Sequence, residues 1–286
     1  MYVIKLKSLI IYLIVFAVAV SGTVLFGSAL AEEEPKADEG TVRVPILMYH
    51  AICESPTKAG KFVITKKAFE DDLKYLKKAG YNTISFSELI NFVENNASLP
   101  ENPIMLTFDD GYYNNYCYAY PLLKEYNAKA TISIIGKYTD LYSEISEENP
   151  NYSHITWEQA REMCDSGLVE IQNHSYNSHT MDKGRNGTKK KQGESIAAYT
   201  EYIYSDIGKL QEEVNINLGY TPTVFAYPFG SVSEASYDIL KEMGFKATLS
   251  CAEIINEIHM GNSEDLYMLG RFLRTNKRSA ESILKK

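Results

Sequence analysis

Only four cysteines occur in 286 residues. Cys53, Cys117, Cys164 and Cys251 are scattered and none forms a C-x-x-C pair, which argues against a metal site built from thiolates. In an exported chain they would allow two disulfides in three pairings. Buried free thiols are the simpler reading. Positive charge is also scarce: the net charge is −8, and two of the lysines lie in the first 31 residues, which hold no acid, so the remainder carries −10. That argues against nucleic acid or an anionic membrane surface as partner and suits a neutral substrate. Histidine is rarer still, with five in the chain. No internal repeat is present, and only one long apolar run occurs.

That run is N-terminal. Lys5 and Lys7 precede an apolar stretch from Ser8 to Gly27, followed by Ala29-Leu30-Ala31 and three glutamates. The pattern predicts a secretory signal over 1–31. The stretch is long enough to span a bilayer, so an uncleaved N-terminal membrane anchor is the alternative. In both cases the remainder is expected outside the cytoplasm, secreted or held on the outer face of the membrane or in the cell wall. Residues 32–43, acidic with Pro35 and Gly40, read as a linker, and 44–286 as one domain.

From Val44 onward short apolar runs alternate with helical patterns. Strands are expected at 44–49, 103–108, 130–135, 168–171, 223–227 and 245–249, and the chain closes with an apolar segment at 266–273. Between them the spacing predicts helices over 66–79, 85–93, 113–126, 156–167, 195–216 and 234–243. Such alternation implies an α/β fold with a parallel sheet. About seven units favour closure into a distorted (β/α) barrel, whose active site lies at the C-terminal strand ends. His50, Asp109, Asp110, His174 and Pro228 all fall at such ends.

The most informative of these ends is Thr107-Phe108-Asp109-Asp110-Gly111, after the apolar run 103–106. Two buried carboxylates cost several kcal/mol each, roughly, unless a partner or metal compensates them. On a regular strand they would face opposite ways. They converge only if the strand stops there, and Gly111 frees the backbone to turn. One metal ligand and one base is the functional reading; a strand-end turn with an aspartate capping the next helix is the structural one. His174 and His179 lie in Asn173-His174-Ser175-Tyr176-Asn177-Ser178-His179. A five-residue separation places them roughly 140° apart on a helix and on opposite faces of a strand, so they share a metal only from a loop. Two histidines and a carboxylate, Asp110, make an open zinc site with a place for water. Asp109 would accept the proton of that water. A polar surface loop is the alternative.

These residues resemble the polysaccharide deacetylases of carbohydrate esterase family 4, whose core is the NodB homology domain. Thr107–Gly111 match the first family motif in full, and His174 and His179 match the second. Ala226-Tyr227-Pro228-Phe229-Gly230 is similar to the third. Together with the histidine spacing it looks closest to the branch acting on poly-N-acetylglucosamine. The resemblance spans roughly 44–274. It implies one divalent metal held by Asp110, His174 and His179. Zinc is the first expectation, and cobalt or nickel fit the same ligands. Asp109 would be the general base, and the Phe229 N–H an oxyanion donor. The implied reaction is removal of N-acetyl groups from N-acetylglucosamine units of peptidoglycan or an exopolysaccharide. An acetyl-xylan-type esterase and a catalytically silent glycan-binding module are the alternatives. No protein partner is implied.

Two departures stand out. The arginine that steadies the base in many members is Ala226 here; Arg271 is the expected substitute, an ordinary surface arginine the alternative. The late catalytic histidine segment is not evident, since His259 sits in a polar stretch with no strand before it. His50 is the better candidate acid, with a buried structural histidine as its alternative. Tyr112, Tyr176 and Pro228 are expected at the substrate; most other tyrosines read as packing.

Overall fold

The computed structural model describes residues 40–182 and 184–285. The expected signal or anchor, and linker residues 32–39, lie outside the described residues. The remaining linker positions do not behave as linker. Thr41–Val44 forms a strand antiparallel to Asn256–His259. Pro45, which has no N–H to donate, separates it from the strand Ile46–Tyr49. Among the described residues no helix is long and apolar enough to cross a membrane. All four cysteines are free.

Seven parallel strands form the main sheet, in the order Ala247–Leu249, Val224–Ala226, Val169–Asn173, Ala130–Ile134, Pro103–Asp110, Ile46–Tyr49 and Phe272–Leu273. Asn82–Thr83 adds a short parallel pairing along the start of Pro103–Asp110. Leu269 bridges Leu249 in parallel, and the same segment continues into Phe272–Leu273 at the other edge. That segment closes the sheet into the expected distorted barrel.

The central strand is buried along its whole length, as a strand covered on both faces must be. Leu106 and Phe108 pack with Phe69, Leu73 and Leu123 from the surrounding helices. Met105 belongs to a second cluster with Val224, Ala226 and Leu249. This alternation turns Met105, Thr107 and Asp109 away from the helices that carry Phe69, Leu73 and Leu123.

Local sequence sets the helices that flank the sheet. Thr65 accepts from the Ala68 N–H and starts the helix Lys66–Lys78. Ser85 with Glu88 forms a capping box at Phe86–Asn95, satisfying two otherwise orphaned amides. The helix expected over 113–126 is instead a π-helical turn, Asn115–Ala119, followed by the helix Tyr120–Tyr126. The asparagines explain the break. Asn114 accepts from the Ile52 N–H at 2.7 Å and Asn115 donates to the His50 carbonyl at 2.7 Å, which ties the turn to the neighbouring strand end.

Candidate active site

Strand register brings the reacting groups level. Asp110 pairs with Ile134, and Ile134 with Asn173, so His174 begins one residue beyond Asp110 across two strands. The strand runs through both aspartates rather than stopping before them. Asp110 itself has φ 74 and Gly111 φ 70, so the left-handed turn begins one residue earlier than expected. It lets Asp110 join the side that Asp109 already faces. A Cβ at position 111 would lie 2.9 Å from Ile134 Cγ2, so glycine is required there for space as well as for conformation.

Asp109 is buried and held by Arg271, which is wholly buried. The guanidinium donates twice, Nη1 to Oδ1 at 2.7 Å and Nη2 to Oδ2 at 2.9 Å, while its Nε donates to the Ser250 carbonyl at 3.0 Å. Burial would raise the Asp109 carboxyl, but Arg271, helped by His174 and His50, reverses this and holds it well below the usual carboxylate range. Arg271 is therefore not a surface arginine. It is buried and paired with Asp109.

Asp110 is placed differently. Its buried Oδ1 has no hydrogen-bond partner yet faces His179 Nε2 at 3.3 Å and His174 Nε2 at 3.6 Å. His174 Nδ1 lies 2.7 Å from the Ala226 carbonyl. Only a protonated Nδ1 can donate to that oxygen, so Nε2 carries the lone pair facing Asp110. Burial, with Asp109 adding, raises Asp110 to about 6, while burial lowers both histidines. Ligand atoms of the three residues lie within 4.8 Å of one another. An orphaned carboxylate oxygen opposite two imidazole Nε2 atoms fits a divalent cation, and this donor set is that of an open zinc site.

Loop packing fixes the histidines. Ser175 adopts φ 75, and its N–H donates to Asn173 Oδ1 at 2.8 Å. Asp206, on the long helix Ile196–Leu218, accepts from the Tyr176 and Asn177 amides at 3.1 and 2.9 Å. This clamp was not legible in the sequence, because the acid lies some thirty positions downstream on another element.

The groups line a cavity of about 490 Å³ with His50, Tyr112, Phe62 and Phe229. The His50 ring packs on Phe62 at 4.9 Å, its buried Nδ1 has no partner, and burial lowers its pKa. Phe229 stands in a left-handed conformation (φ 59, ψ 11) with its ring 4.2 Å from that of His179. Tyr112 lines the cavity together with Asp110. Two expectations need correction. Tyr176 does not line the cavity: its hydroxyl donates to Asp140 at 2.9 Å and its ring lies under Lys209. Pro228 is buried, with its carbonyl 2.8 Å from where a Cβ on Gly187 would sit; it shapes the turn before Phe229. His259 follows a strand after all, Asn256–His259, but it is exposed and bonded to Asp265 at 2.7 Å. His154 escaped the sequence reading altogether. It is buried beside Tyr112, with ring centroids 4.9 Å apart, and its only sequence signal is its rarity.

With this geometry in hand, the relatives are informative. The polysaccharide deacetylase family model matches residues 96–248. YxkH of Bacillus subtilis, whose name assigns it to polysaccharide deacetylation, is 31% identical over 73% of this chain and 64% of its own length. The poly-β-1,6-N-acetyl-D-glucosamine N-deacetylase of Escherichia coli K12 is 24% identical over 88% of this chain and 39% of its own. The chain thus spans less than two thirds of either relative. Among solved structures, the Streptococcus pyogenes deacetylase PplD in complex with acetate is 27% identical with a TM-score of 0.68, over 85% of this chain and 97% of that one. A de-N-acetylase from Aggregatibacter actinomycetemcomitans, 24% identical with a TM-score of 0.73 over 85% and 99%, shares the fold. On this evidence the chain belongs to the polysaccharide deacetylase family.

Proposed function

We propose that the protein is a metal-dependent hydrolase that removes N-acetyl groups from N-acetylglucosamine units of an exported polysaccharide. Poly-β-1,6-linked N-acetylglucosamine is the first substrate to consider and peptidoglycan the second. The observation that carries the reading is the division of labour between adjacent aspartates: Asp109 locked by Arg271, Asp110 open toward two imidazole Nε2 atoms.

Asp110, His174 and His179 would hold the cation, zinc by preference, with cobalt and nickel compatible. When bound it would acidify a water and polarise the acetyl carbonyl. Asp109, ionised at neutral pH and fixed in direction by both guanidinium N–H pairs, takes the proton of the attacking water. Arg271 keeps that carboxylate from swinging toward the ligand set. The N–H of Phe229, brought to the cavity by its left-handed backbone, is the oxyanion donor. His50 delivers the proton that the departing amine requires. Its unpartnered Nδ1 and its place on the cavity wall support that role. Breaking the C–N bond then yields acetate and a free amine. Export, with the apolar N-terminus either cleaved or kept as a tether, fits a polymer substrate outside the cell.

Acetate release from β-1,6-linked N-acetylglucosamine oligomers and from acetylated xylan oligomers, assayed side by side, tests the reading. Release from the amide substrate is expected. Release from the xylan ester alone would replace this proposal with an esterase.

A further inference from the structure

Strand order separates two exposed aromatic rings by the catalytic centre. Phe62, 46% exposed, lies on the Ile46–Tyr49 side, where it packs on His50 and lines the cavity. Tyr138, 38% exposed, lies on the other side, in the helix Gly136–Ile145 that follows the strand Ala130–Ile134. Pro103–Asp110, with its two aspartates, runs between those strands. Neither ring is explained by core packing. Phe62 leaves almost half its surface in water directly beside the cavity. Tyr138 stacks one face on His154 (4.5 Å, 22° between planes). His154 in turn meets Tyr112 on the cavity wall. Each ring is thus fixed on a histidine and keeps exposed surface, Phe62 on the cavity itself and Tyr138 beyond its wall, linked to it through His154 and Tyr112.

Rigid, half-exposed aromatic surface suits the apolar C–H face of a pyranose, which gains by leaving water without losing its hydroxyl hydrogen bonds. We infer that Phe62 and Tyr138 are stacking positions for the sugar units flanking the one being deacetylated, so that the enzyme grips an internal stretch of the chain rather than its end. The inference rests on the proposed deacetylase reading and extends it to substrate length. Charge points the same way. Besides the two aspartates of the centre, the cavity is lined by one lysine, Lys61, and one glutamate, Glu253, which offset each other, and a neutral repeating glycan fits.

The test compares β-1,6-linked N-acetylglucosamine dimer and pentamer with metal-loaded wild-type protein, Tyr138→Ala and Tyr138→Phe. For Tyr138→Ala the ratio of kcat/KM on pentamer to that on dimer is expected to fall about tenfold, through KM, and Tyr138→Phe is expected to restore it. Equal losses on both substrates would overturn the inference, because they would mean that Tyr138 acts through His154 on the centre itself. An unchanged ratio would overturn it too. Phe62→Ala should lower the same ratio, and Phe62→Tyr should restore it. Calorimetric binding of the fully deacetylated pentamer keeps the question separate from turnover. Absence of acetate release by wild type would remove the deacetylase reading, while equal pentamer affinity in wild type and Tyr138→Ala would remove the stacking position.

Discussion

Tyr112, Tyr138 and Tyr142 surround the His154 ring at 4.9, 4.5 and 5.6 Å. Burial, with His179 adding, lowers His154 from 6.5 to about 4. In the unfolded chain this histidine titrates near its ordinary value, so between pH 6.5 and 4 the unfolded state binds more protons than the folded one. Folding stability therefore falls as pH drops through that window, by about 3 kcal/mol from this residue, and is level above it. Urea midpoints of wild type and His154→Phe across pH 4–8 check this: the acid-side slope should be shallower in the variant. Identical slopes would mean that His154 is charged in the folded protein. Residues differ in how far sequence reveals them, and direction is the reason. Asp109, Asp110, His174 and His179 were legible because their spacing after apolar runs restricts where they can point. Tyr176 was misread because its ring direction is set by Asp140 and Lys209, and His154 was missed because its setting comes from three separate tyrosines.

Among elements, the segment from Leu269 to Arg274 does more than its length suggests. It bridges the two edges of the sheet and delivers Arg271 to Asp109. The Arg271 N–H donates to the Ala252 carbonyl at 2.7 Å, and a Cβ at Gly270 would lie 2.7 Å from that same oxygen. Backbone cannot yield cheaply there, so Gly270→Ala should displace Arg271 and lower acetate release by about 10- to 100-fold, an ångström-scale misplacement of catalytic groups. Circular dichroism and the release rate check it together: a native spectrum with a wild-type rate would contradict this. Helices with clear caps, such as those opening at Thr65 and Ser85, were readable from sequence. Asn256–His259 and the helix Ala280–Leu284 were not. Each offers only two buried residues, and their places depend on partners far away in the chain: Thr41–Val44 for the strand, Asp72 for the Ala280 N–H.

At the scale of the whole molecule, closure of the parallel sheet gathers residues 50, 109, 110, 174, 179, 229 and 271 around one cavity. The alternation of strands and helices made a barrel legible, and the C-terminal strand ends told where to look. What alternation could not carry is the order of strands, which sets Phe62 and Tyr138 on opposite sides of the aspartates. The central claim is that the adjacent aspartates divide the work, Asp110 with His174 and His179 holding a cation and Asp109 moving the proton. The most direct measurement is acetate release from β-1,6-linked N-acetylglucosamine oligomers, with bound metal counted, for wild type, Asp109→Asn and His179→Ala. The account predicts one metal and turnover in wild type, metal kept but release reduced by at least about 100-fold in Asp109→Asn, and loss of both in His179→Ala. Wild-type release by Asp109→Asn, or undiminished metal in His179→Ala, would contradict it.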